Sequence, residues 1–587
     1  MSRNLRILLA WLIGGAALAD RAATEDGTAP ASVFTYRGVG ADGSEVVFEA
    51  TSNGLTSVRL GTQTVASGDW HVEGGNWVLH RTGVVERLDA CAAKTLEVLA
   101  PDHVRIRHSG SNLTTTFDYA FAGEDVRITA RVDNGDPDRA LEAVVFRGLT
   151  LAFNGTPAGY LQTWDSSTLR SLGQRRRGFH PSFETLLGGS YACDGAFGVG
   201  LSPLYRQLEP TLFWWAGGRD LHYIVPAAIP PGGARTFAMT MRVSRNRNWQ
   251  HLLEPYRAHF TATFGPVRYK ADPRPFTRYQ AADDAHMSGD NPHGWNWYRF
   301  DRATHPTPWG GKGMADFVAC VTDACVRAGA QGVILWAQTG NNPRGCNFRP
   351  DFDVLPPEVE TNAPLLRAIL AAGCRLGATA RPGEIATPVA WGRDDTVRVH
   401  PDEPTQMETL LKRFDLMAGR GFNAYYLDTF GDSFNDIRIM QAVRARLGPD
   451  VPTFTEFWTD VSLVYSGAYM QMGWDGKSMA HREFWNRLEP WAYIRWLLPG
   501  VQAVSPVGTA EHAFADLIRE RKLRVLPGSW AELQAADAKS DPARVPSPMR
   551  FLFQNGITPM ITIGTSSAVP LAAEAAALAP EFVRKGP

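Results

Sequence analysis

The chain has 587 residues, with 59 Lys or Arg and 60 Asp or Glu, so its formal net charge is −1. A charge so close to zero, without runs of basic residues, argues against a nucleic-acid partner. The 18 tryptophans favour a carbohydrate ligand, because aromatic faces stack on the apolar C–H surfaces of sugar rings as well as filling cores.

Residues 1–23 have the pattern of a secretory signal peptide. Arg3 and Arg6 precede an almost uninterrupted apolar stretch over residues 7–19, and small residues suited to cleavage follow it. The stretch is too short to span a bilayer comfortably, so cleavage is favoured over an uncleaved membrane anchor. We therefore expect a periplasmic or secreted protein with no stable membrane insertion. In that compartment its six cysteines could form one to three disulfides.

Residues 24–265 predict an antiparallel β-sandwich. From Phe34 to Val243, apolar and polar residues alternate with a period of two, and turn residues interrupt the alternation at short intervals. This pattern gives each strand one buried and one solvated face. The sequence GVGADG at 38–43 has dinucleotide-binding spacing, but it lies between two alternating strands and predicts a β-turn.

Residues 266–587 alternate short apolar runs with amphipathic helical stretches, an order that requires a parallel sheet. The predicted strands are 294–300, 332–338, 374–383, 422–428, 451–457, 467–473, 500–505 and 556–564. Eight strands favour a (β/α)8 barrel, with an open doubly wound sheet as the alternative. The predicted fold class is therefore multidomain, an N-terminal antiparallel β-sandwich followed by a (β/α)8 TIM-type barrel.

Two carboxylates end successive predicted strands of this barrel: Asp428 ends the fourth and Glu456 ends the fifth. Neighbouring barrel strands bring such residues to one rim, where like charges push their pKa values apart. Glycoside hydrolysis requires this pairing, an ionised nucleophile or base with a protonated acid. The structural alternative is that Asp428 caps a helix or pairs with Arg381, and that Glu456 forms a salt bridge at the rim.

Other strand ends supply candidates for substrate binding. Arg381 could hold Asp428 ionised, clamp a substrate hydroxyl or form only a structural ion pair. Asp475 is the rival for the acid, but it lies in a Gly-flanked turn, whereas Glu456 lies at a strand end. For Trp295, on the first predicted strand, core packing is an equal alternative. The candidate set is Trp295, Trp336, Gln338, Arg381, Glu384, Trp458, Trp474 and Asp475.

No motif points to a metal or a cofactor, and we predict neither. The sequence contains no GxSxG, HExxH or Walker pattern. Residues 283–293 contain several Asp and His residues, but these do not have the regular helical or strand spacing that would bring them together as metal ligands. A lyase or metal-dependent hydrolase using this segment is the weakest of the functional alternatives.

The sequence predicts a sandwich of strands with a period of two, followed by a barrel whose fourth strand ends in YYLDTFG. This arrangement resembles the retaining α-glycosidases, in particular the superfamily of α-galactosidases and α-N-acetylgalactosaminidases. The resemblance implies a galactose-mutarotase-like β-supersandwich and makes Asp428 the nucleophile. In the α-galactosidase type the acid/base is an Asp near the sixth strand, which points to Asp475, although the usual Trp-Arg-x-x-x-Asp context is missing. The endo-α-N-acetylgalactosaminidase type uses a Glu after the fifth strand, which matches TFTEFW and Glu456.

The sequence thus predicts an exported, retaining glycoside hydrolase that acts on an oligosaccharide or glycan. Asp428 would attack the anomeric carbon, and Glu456 would protonate the leaving oxygen and then activate water. Retention implies carboxyl groups about 5–5.5 Å apart, whereas about 6.5–9.5 Å would favour inversion. The alternative is a non-catalytic carbohydrate-binding or surface protein that keeps the barrel scaffold.

Overall fold

The computed structural model describes residues 33–76, 86–87, 93–162, 178–182, 185–226, 228–279, 313–336, 338, 351–353, 355, 360, 363–386, 396–431, 433–470, 490–507, 553, 557–563 and 573–578. The predicted signal peptide, the Asp/His segment at 283–293 and the candidates Trp295, Trp474 and Asp475 lie outside these ranges. The chain divides into two compact units, Met1–His180 with Leu187–Thr263 and Pro181–Leu186 with Phe264–Pro587.

The first unit consists of two antiparallel sheets, which confirms the predicted sandwich. Its described strands are β1 (Phe34–Val39), β2 (Glu45–Thr51), β3 (Gly54–Leu60), β4 (Gln63–Ser67), β5 (His71–Asn76), β6 (Glu86–Arg87), β7 (Ala93–Ala100), β8 (His103–Ser109), β9 (Leu113–Ala122), β10 (Asp125–Asn134), β11 (Ala143–Leu151), β12 (Ala158–Tyr160), β13 (Ser190–Cys193), β14 (Gly198–Pro203), β15 (Leu212–Ala216), β16 (Asp220–Val225) and β17 (Ala234–Ser244). One sheet has the order β1-β2-β3-β4-β11-β16-β15, with β5 beside β11 and β6 beside β5. The other has the order β12-β13-β14-β17-β10-β9-β8-β7.

The alternation of apolar and polar residues explains these sheets. In β9 and β10 every second side chain is buried, and the two strands pair without a break in register, with Phe117 opposite Ala130. Phe48 of the first sheet and Phe117 of the second belong to one hydrophobic core, so the buried faces of the two sheets share it. A helix, α1 (Trp249–Phe264), follows β17.

The second unit is a closed parallel barrel, which confirms the predicted fold class. Its eight described strands are β18 (Phe276–Tyr279), β19 (Gly332–Leu335), β20 (Arg375–Ala380), β23 (Ala424–Leu427), β24 (Thr453–Thr455), β25 (Gly467–Met470), β26 (Gln502–Val507) and β27 (Ile557–Ile563). β27 pairs with β18 and closes the ring. A short antiparallel pair, β21 (Glu384–Ala386) with β22 (Thr396–Arg398), follows β20. The described helices of this unit are α2 (Gly313–Arg327), α3 (Ala363–Ala371), α4 (Pro404–Gly419), α5 (Phe434–Leu447), α6 (Asp460–Ser466) and α7 (Pro490–Leu497).

The first barrel strand lies elsewhere than predicted, so its placement at 294–300 is wrong. The strand is β18, whose four residues are all buried and pair in parallel with β19 and β27. Its sequence FTRY does not suggest a buried strand, because Arg278 interrupts the apolar run. In the structure the guanidinium of Arg278 lies over the ring of Trp336, 4.9 Å from its centroid. Trp295 itself lies outside the described residues.

Local signals fix where the helices of the barrel begin and end. Ser433 precedes α5, and its hydroxyl accepts the backbone N–H of Asp436, one of the donors that the first turn leaves free. Gly467 ends α6 with φ 71°, and a Cβ there would meet Tyr269 at 2.2 Å, so a glycine is required where the helix passes into β25. In the described ranges, no helix is long and apolar enough to cross a membrane.

Candidate active site

Asp428 is the first residue after the fourth barrel strand. β23 is fully buried and lies between β20 and β24 in parallel register. The backbone N–H of Asp428 donates to the carbonyl of Ala380 at 2.8 Å, so the hydrogen-bond ladder continues to this residue and fixes where its side chain leaves the strand. Only 7% of Asp428 is exposed, which places its carboxylate in a largely water-excluded position.

Glu456 occupies the matching position on the fifth strand. It follows β24 directly, and its backbone N–H donates to the carbonyl of Leu427 at 3.0 Å. Since Leu427 pairs with Thr455, the next residues along both strands, Asp428 and Glu456, are neighbours at the carboxyl end of the barrel. Glu456 is 8% exposed. The predicted placement of the two carboxyl groups on one rim agrees with the structure.

Asp428 and Glu456 interact electrostatically at the carboxyl ends of the paired strands β23 and β24. Burial, and secondly the charge of Asp428, raises the pKa of Glu456 to about 8. Near neutral pH Glu456 is therefore mostly protonated.

Arg381 pairs with Asp428. Its Nε–H donates to Oδ2 of Asp428 at 2.6 Å, and its Nη1 lies 3.9 Å from a carboxylate oxygen of Glu384. Glu384 also faces Arg398 at 3.2 Å. A guanidinium this close favours the charged form of a carboxylate. The ion pair foreseen as the structural alternative thus exists.

Thr429 contacts both carboxyl groups, and sequence reasoning missed it. Its backbone N–H donates to Oε2 of Glu456 at 2.7 Å, and its hydroxyl donates to Oδ2 of Asp428 at 3.3 Å. Its φ of 52° is the only positive value at a non-glycine position in the described residues. A β-branched residue rarely adopts this left-handed conformation, so no sequence pattern would have indicated it.

An aromatic layer lies beside the carboxyl pair. The rings of Trp336 and Tyr426 stack with their centroids 4.4 Å apart, and Arg278 covers Trp336. Tyr426 lies in the electrostatic field of Asp428 and Glu456, and burial raises its pKa well above the ordinary value. Trp336 and Tyr426 belong to the hydrophobic core of the barrel. Arg278 was not among the predicted site residues, because a charged residue inside a four-residue strand gives no sequence signal.

Two other predicted binding residues are buried. Gln338 donates from its amide to the carbonyl of Thr379 at 2.7 Å and to that of Phe352 at 3.3 Å, and it accepts the N–H of Thr379 at 2.9 Å. These bonds use both the nitrogen and the oxygen of the Gln338 amide. Gln338 therefore connects the loop after β19 to strand β20. Trp458 is 1% exposed. Neither side chain presents free polar or open aromatic surface to a ligand.

The described residues contain no group of three or more His, Cys, Asp or Glu side chains that could hold a metal ion. Trp295, Trp474 and Asp475 lie outside the described ranges. Of the two candidates for the acid, Glu456 and Asp475, the structure therefore describes only Glu456. What the described site offers is acid–base and nucleophilic chemistry from two carboxyl groups, a guanidinium and a backbone N–H.

Comparisons with known proteins bear on the fold that holds this site. No protein-family profile matches the chain, and no curated protein matches its sequence. The ligand-free α-N-acetylgalactosaminidase NagBb from Bifidobacterium bifidum is similar in structure, with a TM-score of 0.54, 13% identity, and coverage of 94% of each chain. Its quadruple mutant gives a TM-score of 0.57, 11% identity, and coverage of 94% of this chain and 93% of that one. A GH36 α-galactosidase from Geobacillus stearothermophilus gives a TM-score of 0.46, 10% identity, and coverage of 94% and 86%. The likeness to NagBb extends over both units and shows a shared fold.

Proposed function

We propose that this chain is an exported glycoside hydrolase that cleaves α-glycosidic linkages of an oligosaccharide or glycan with retention of configuration. The observation that carries the proposal is the placement of two buried carboxyl groups, Asp428 and Glu456, at successive barrel strand ends, with the pKa of Glu456 raised to about 8. The α-linkage is inferred from the fold shared with NagBb, an α-N-acetylgalactosaminidase. Export is inferred from the pattern of residues 1–23.

In the proposed mechanism Asp428 is the nucleophile. Arg381 and Thr429 both donate to Oδ2, which leaves Oδ1 to attack the anomeric carbon. The attack forms a glycosyl ester and breaks the glycosidic C–O bond. The positive charge of Arg381 keeps the carboxylate ionised in a buried position, so it can act without first losing a proton.

Glu456 is the acid and then the base. With a pKa of about 8 it is protonated near neutral pH and can give its proton to the leaving oxygen as the C–O bond breaks. The resulting carboxylate then takes a proton from the water that hydrolyses the ester, which restores the starting state.

The test of the nucleophile is the variant Asp428→Ala with an aryl α-N-acetylgalactosaminide and an aryl α-galactoside as substrates. We expect a loss of turnover of about 10⁴-fold or more, since no covalent intermediate can form. Azide should restore activity and give the glycosyl azide of inverted configuration. Asp415→Asn, which removes an exposed carboxylate paired with Arg446, is the matched control and should turn over normally. Normal turnover by Asp428→Ala would end the assignment.

The test of the acid is the leaving-group dependence of Glu456→Ala. A substrate with a dinitrophenyl leaving group needs no proton, so its cleavage should be affected far less than that of a poor leaving group. Azide should here yield the glycosyl azide of retained configuration. If Asp475→Asn shows this behaviour and Glu456→Ala does not, the acid is Asp475. A wild-type protein that binds glycans but turns none over, with binding unchanged in Asp428→Ala, would favour the non-catalytic alternative.

A further inference from the structure

We propose that Thr429 is a positioning residue for both carboxyl groups, holding Glu456 through its backbone N–H and Asp428 through its hydroxyl. The inference rests on the proposed glycosidase function and deepens it, because it states how one residue fixes the orientation and the proton of the pair. Thr429 follows Asp428 directly, so any change in its backbone moves the nucleophile and the contact to the acid together.

The backbone conformation of Thr429 is what makes the double contact possible. At φ 52° its N–H points at Oε2 of Glu456, 2.7 Å away. The following loop holds that conformation in place. Phe457 donates its N–H to the carbonyl of Phe430 at 3.1 Å, and a Cβ on Gly431 would meet the carbonyl of Phe457 at 2.3 Å. A β-branched residue in the left-handed region persists only where its surroundings enforce it, and such sites cluster where function requires them.

The N–H of Thr429 also determines which oxygen of Glu456 carries the proton. A protonated carboxyl group has one hydroxyl oxygen that donates and one carbonyl oxygen that accepts best. Because Oε2 accepts the N–H, the proton is placed on Oε1. When Glu456 later acts as a base, the same N–H stabilises its carboxylate. The hydroxyl of Thr429 acts on the other member of the pair, where it adds a second donor to Oδ2 of Asp428 beside Arg381.

Other charged and titratable groups face the pair and stay unchanged when Thr429 is replaced. Asp428 is faced by Arg381 from the end of β20, by Glu456 from the end of β24 and by Tyr426 from its own strand. Glu456 is faced by Asp428, Arg381 and Tyr426. A shift in titration on replacing Thr429 alone is therefore assigned to Thr429.

The experiment compares Thr429→Val, Thr429→Ser and Thr429→Gly by kcat/KM and its pH dependence. The Val variant keeps the size, the branching and the N–H but loses the hydroxyl bond to Asp428, so kcat/KM should fall by about 3–10-fold. The Ser variant keeps the hydroxyl and should restore the wild-type value. Thr409→Val, which removes a hydroxyl on α4 that bonds only locally to Thr405, is the control and should change neither kcat/KM nor its pH profile.

Thr429→Gly tests the backbone half of the proposal. Glycine adopts the left-handed conformation freely but does not enforce it, so the N–H is less firmly aimed at Glu456. The basic limb, which reports Glu456, should move to higher pH as the N–H contact loosens, in addition to the fall in kcat/KM seen for Val. Wild-type kcat/KM in Thr429→Val together with a wild-type basic limb in Thr429→Gly would refute the positioning role.

A second readout separates this proposal from the glycosidase function. The carboxyl group of Glu456 can be titrated without substrate by infrared difference spectroscopy, with Glu456→Gln assigning its bands. The Gly variant should shift this titration in the same direction as the basic limb of the kinetics. Shifted bands in a protein without hydrolytic activity would support the positioning role while rejecting the proposed reaction. Unshifted bands in an active enzyme would reject the positioning role alone.

Discussion

Oδ2 of Asp428 accepts from a guanidinium and a hydroxyl, whereas Oε2 of Glu456 accepts only a backbone N–H among the contacts described for it. Donors of unequal strength therefore face two similar acids. A charged donor stabilises an ionised carboxylate more than a neutral donor does, so the proton is kept on Glu456. This asymmetry, rather than the distance alone, is what assigns the two roles at the scale of single residues.

Replacing Glu456 by Gln should remove a pH dependence of stability. The pKa of Glu456 is raised from 4.5 to about 8 on folding, so the folded state binds its proton more tightly than the unfolded state. The stability that this group contributes is complete below about pH 4.5 and is lost as the pH rises toward about 8, at up to about 1.4 kcal/mol per pH unit. Glu456→Gln cannot titrate, so its free energy of unfolding relative to wild type should increase across that window. Chemical denaturation at several pH values measures it.

The control for that experiment is Glu408→Gln, which removes an exposed carboxylate paired with Lys412 on α4. Its free energy of unfolding should run parallel to that of the wild type. If Glu456→Gln also ran parallel, Glu456 would not carry the raised pKa.

Arg381→Lys should slow the reaction through the nucleophile. A lysine keeps the charge but not the planar guanidinium that donates from Nε to Oδ2, and the loss of a charge-assisted hydrogen bond corresponds to about a 10–100-fold fall in kcat. Steady-state kinetics check this effect. Arg446→Lys, at an exposed pair with Asp415, is the control. Unchanged kcat in Arg381→Lys would contradict the role given to the ion pair.

At the scale of elements, the positions of Asp428 and Glu456 at the rim of the barrel follow from the short strands that precede them. Backbone pairing determines where these strands end. β23 has four residues and β24 has three, and both stop one residue before a carboxylate. The sequence predicts this well, because an apolar run that ends in Asp or Glu marks the point where burial by helices ends. It fails for β18, where Arg278 replaces an apolar residue, and for Thr429, whose contacts depend on a backbone angle that its type disfavours.

Cys325 and Cys374 should form a disulfide in protein produced in an oxidising compartment. Cys325 lies near the end of α2 and Cys374 lies just before β20, and interaction with Cys374 is the first cause of the raised pKa of the Cys325 thiol. Oxidation by a thiol–disulfide oxidant such as oxidised glutathione would join the two sulfurs with loss of both thiol protons. Closing this loop would stabilise the barrel by about 4 kcal/mol on a chain-entropy estimate.

Peptide mapping of unreduced protein from the oxidising compartment measures this bond. All four described cysteines, including Cys325 and Cys374, are free in the structure. Cys320 on the same helix and Cys193 in the sandwich serve as internal controls, which should take up an alkylating reagent after denaturation. Alkylation of Cys325 and Cys374 to the same extent as Cys320 would contradict the prediction.

At the scale of the whole molecule, two periods of the sequence account for the architecture. The period of two requires a sandwich, and the alternation of strands and helices requires a parallel sheet, which closes once eight strands are present. Neither period reveals that Pro181–Leu186 belongs to the barrel unit although sandwich strands precede and follow it. Six residues are too few to show a period. Their assignment comes from contacts such as the N–H of Asp460 donating to the carbonyl of Leu186 at 3.0 Å.

Leu186→Ala and Leu187→Ala should destabilise different units, although the two residues are adjacent and both are buried. Leu186 belongs to the barrel unit and Leu187 to the sandwich unit, where its carbonyl accepts from Gln162. Each truncation of a buried leucine should lower stability by about 2–5 kcal/mol. Hydrogen exchange read by mass spectrometry should show reduced protection in α6 for Leu186→Ala and in the sandwich strands for Leu187→Ala. Identical exchange patterns would contradict the division.

The placement of Pro181–Leu186 also has a consequence for synthesis on the ribosome. These residues emerge before the last sandwich strands, but Asp460, which binds the carbonyl of Leu186, is translated much later. The barrel unit therefore needs a piece of chain made long before its own strands, and it cannot be produced whole from the contiguous piece 264–587. Separate production of a complete barrel unit would require rejoining the chain in a new order, as in a circular permutation.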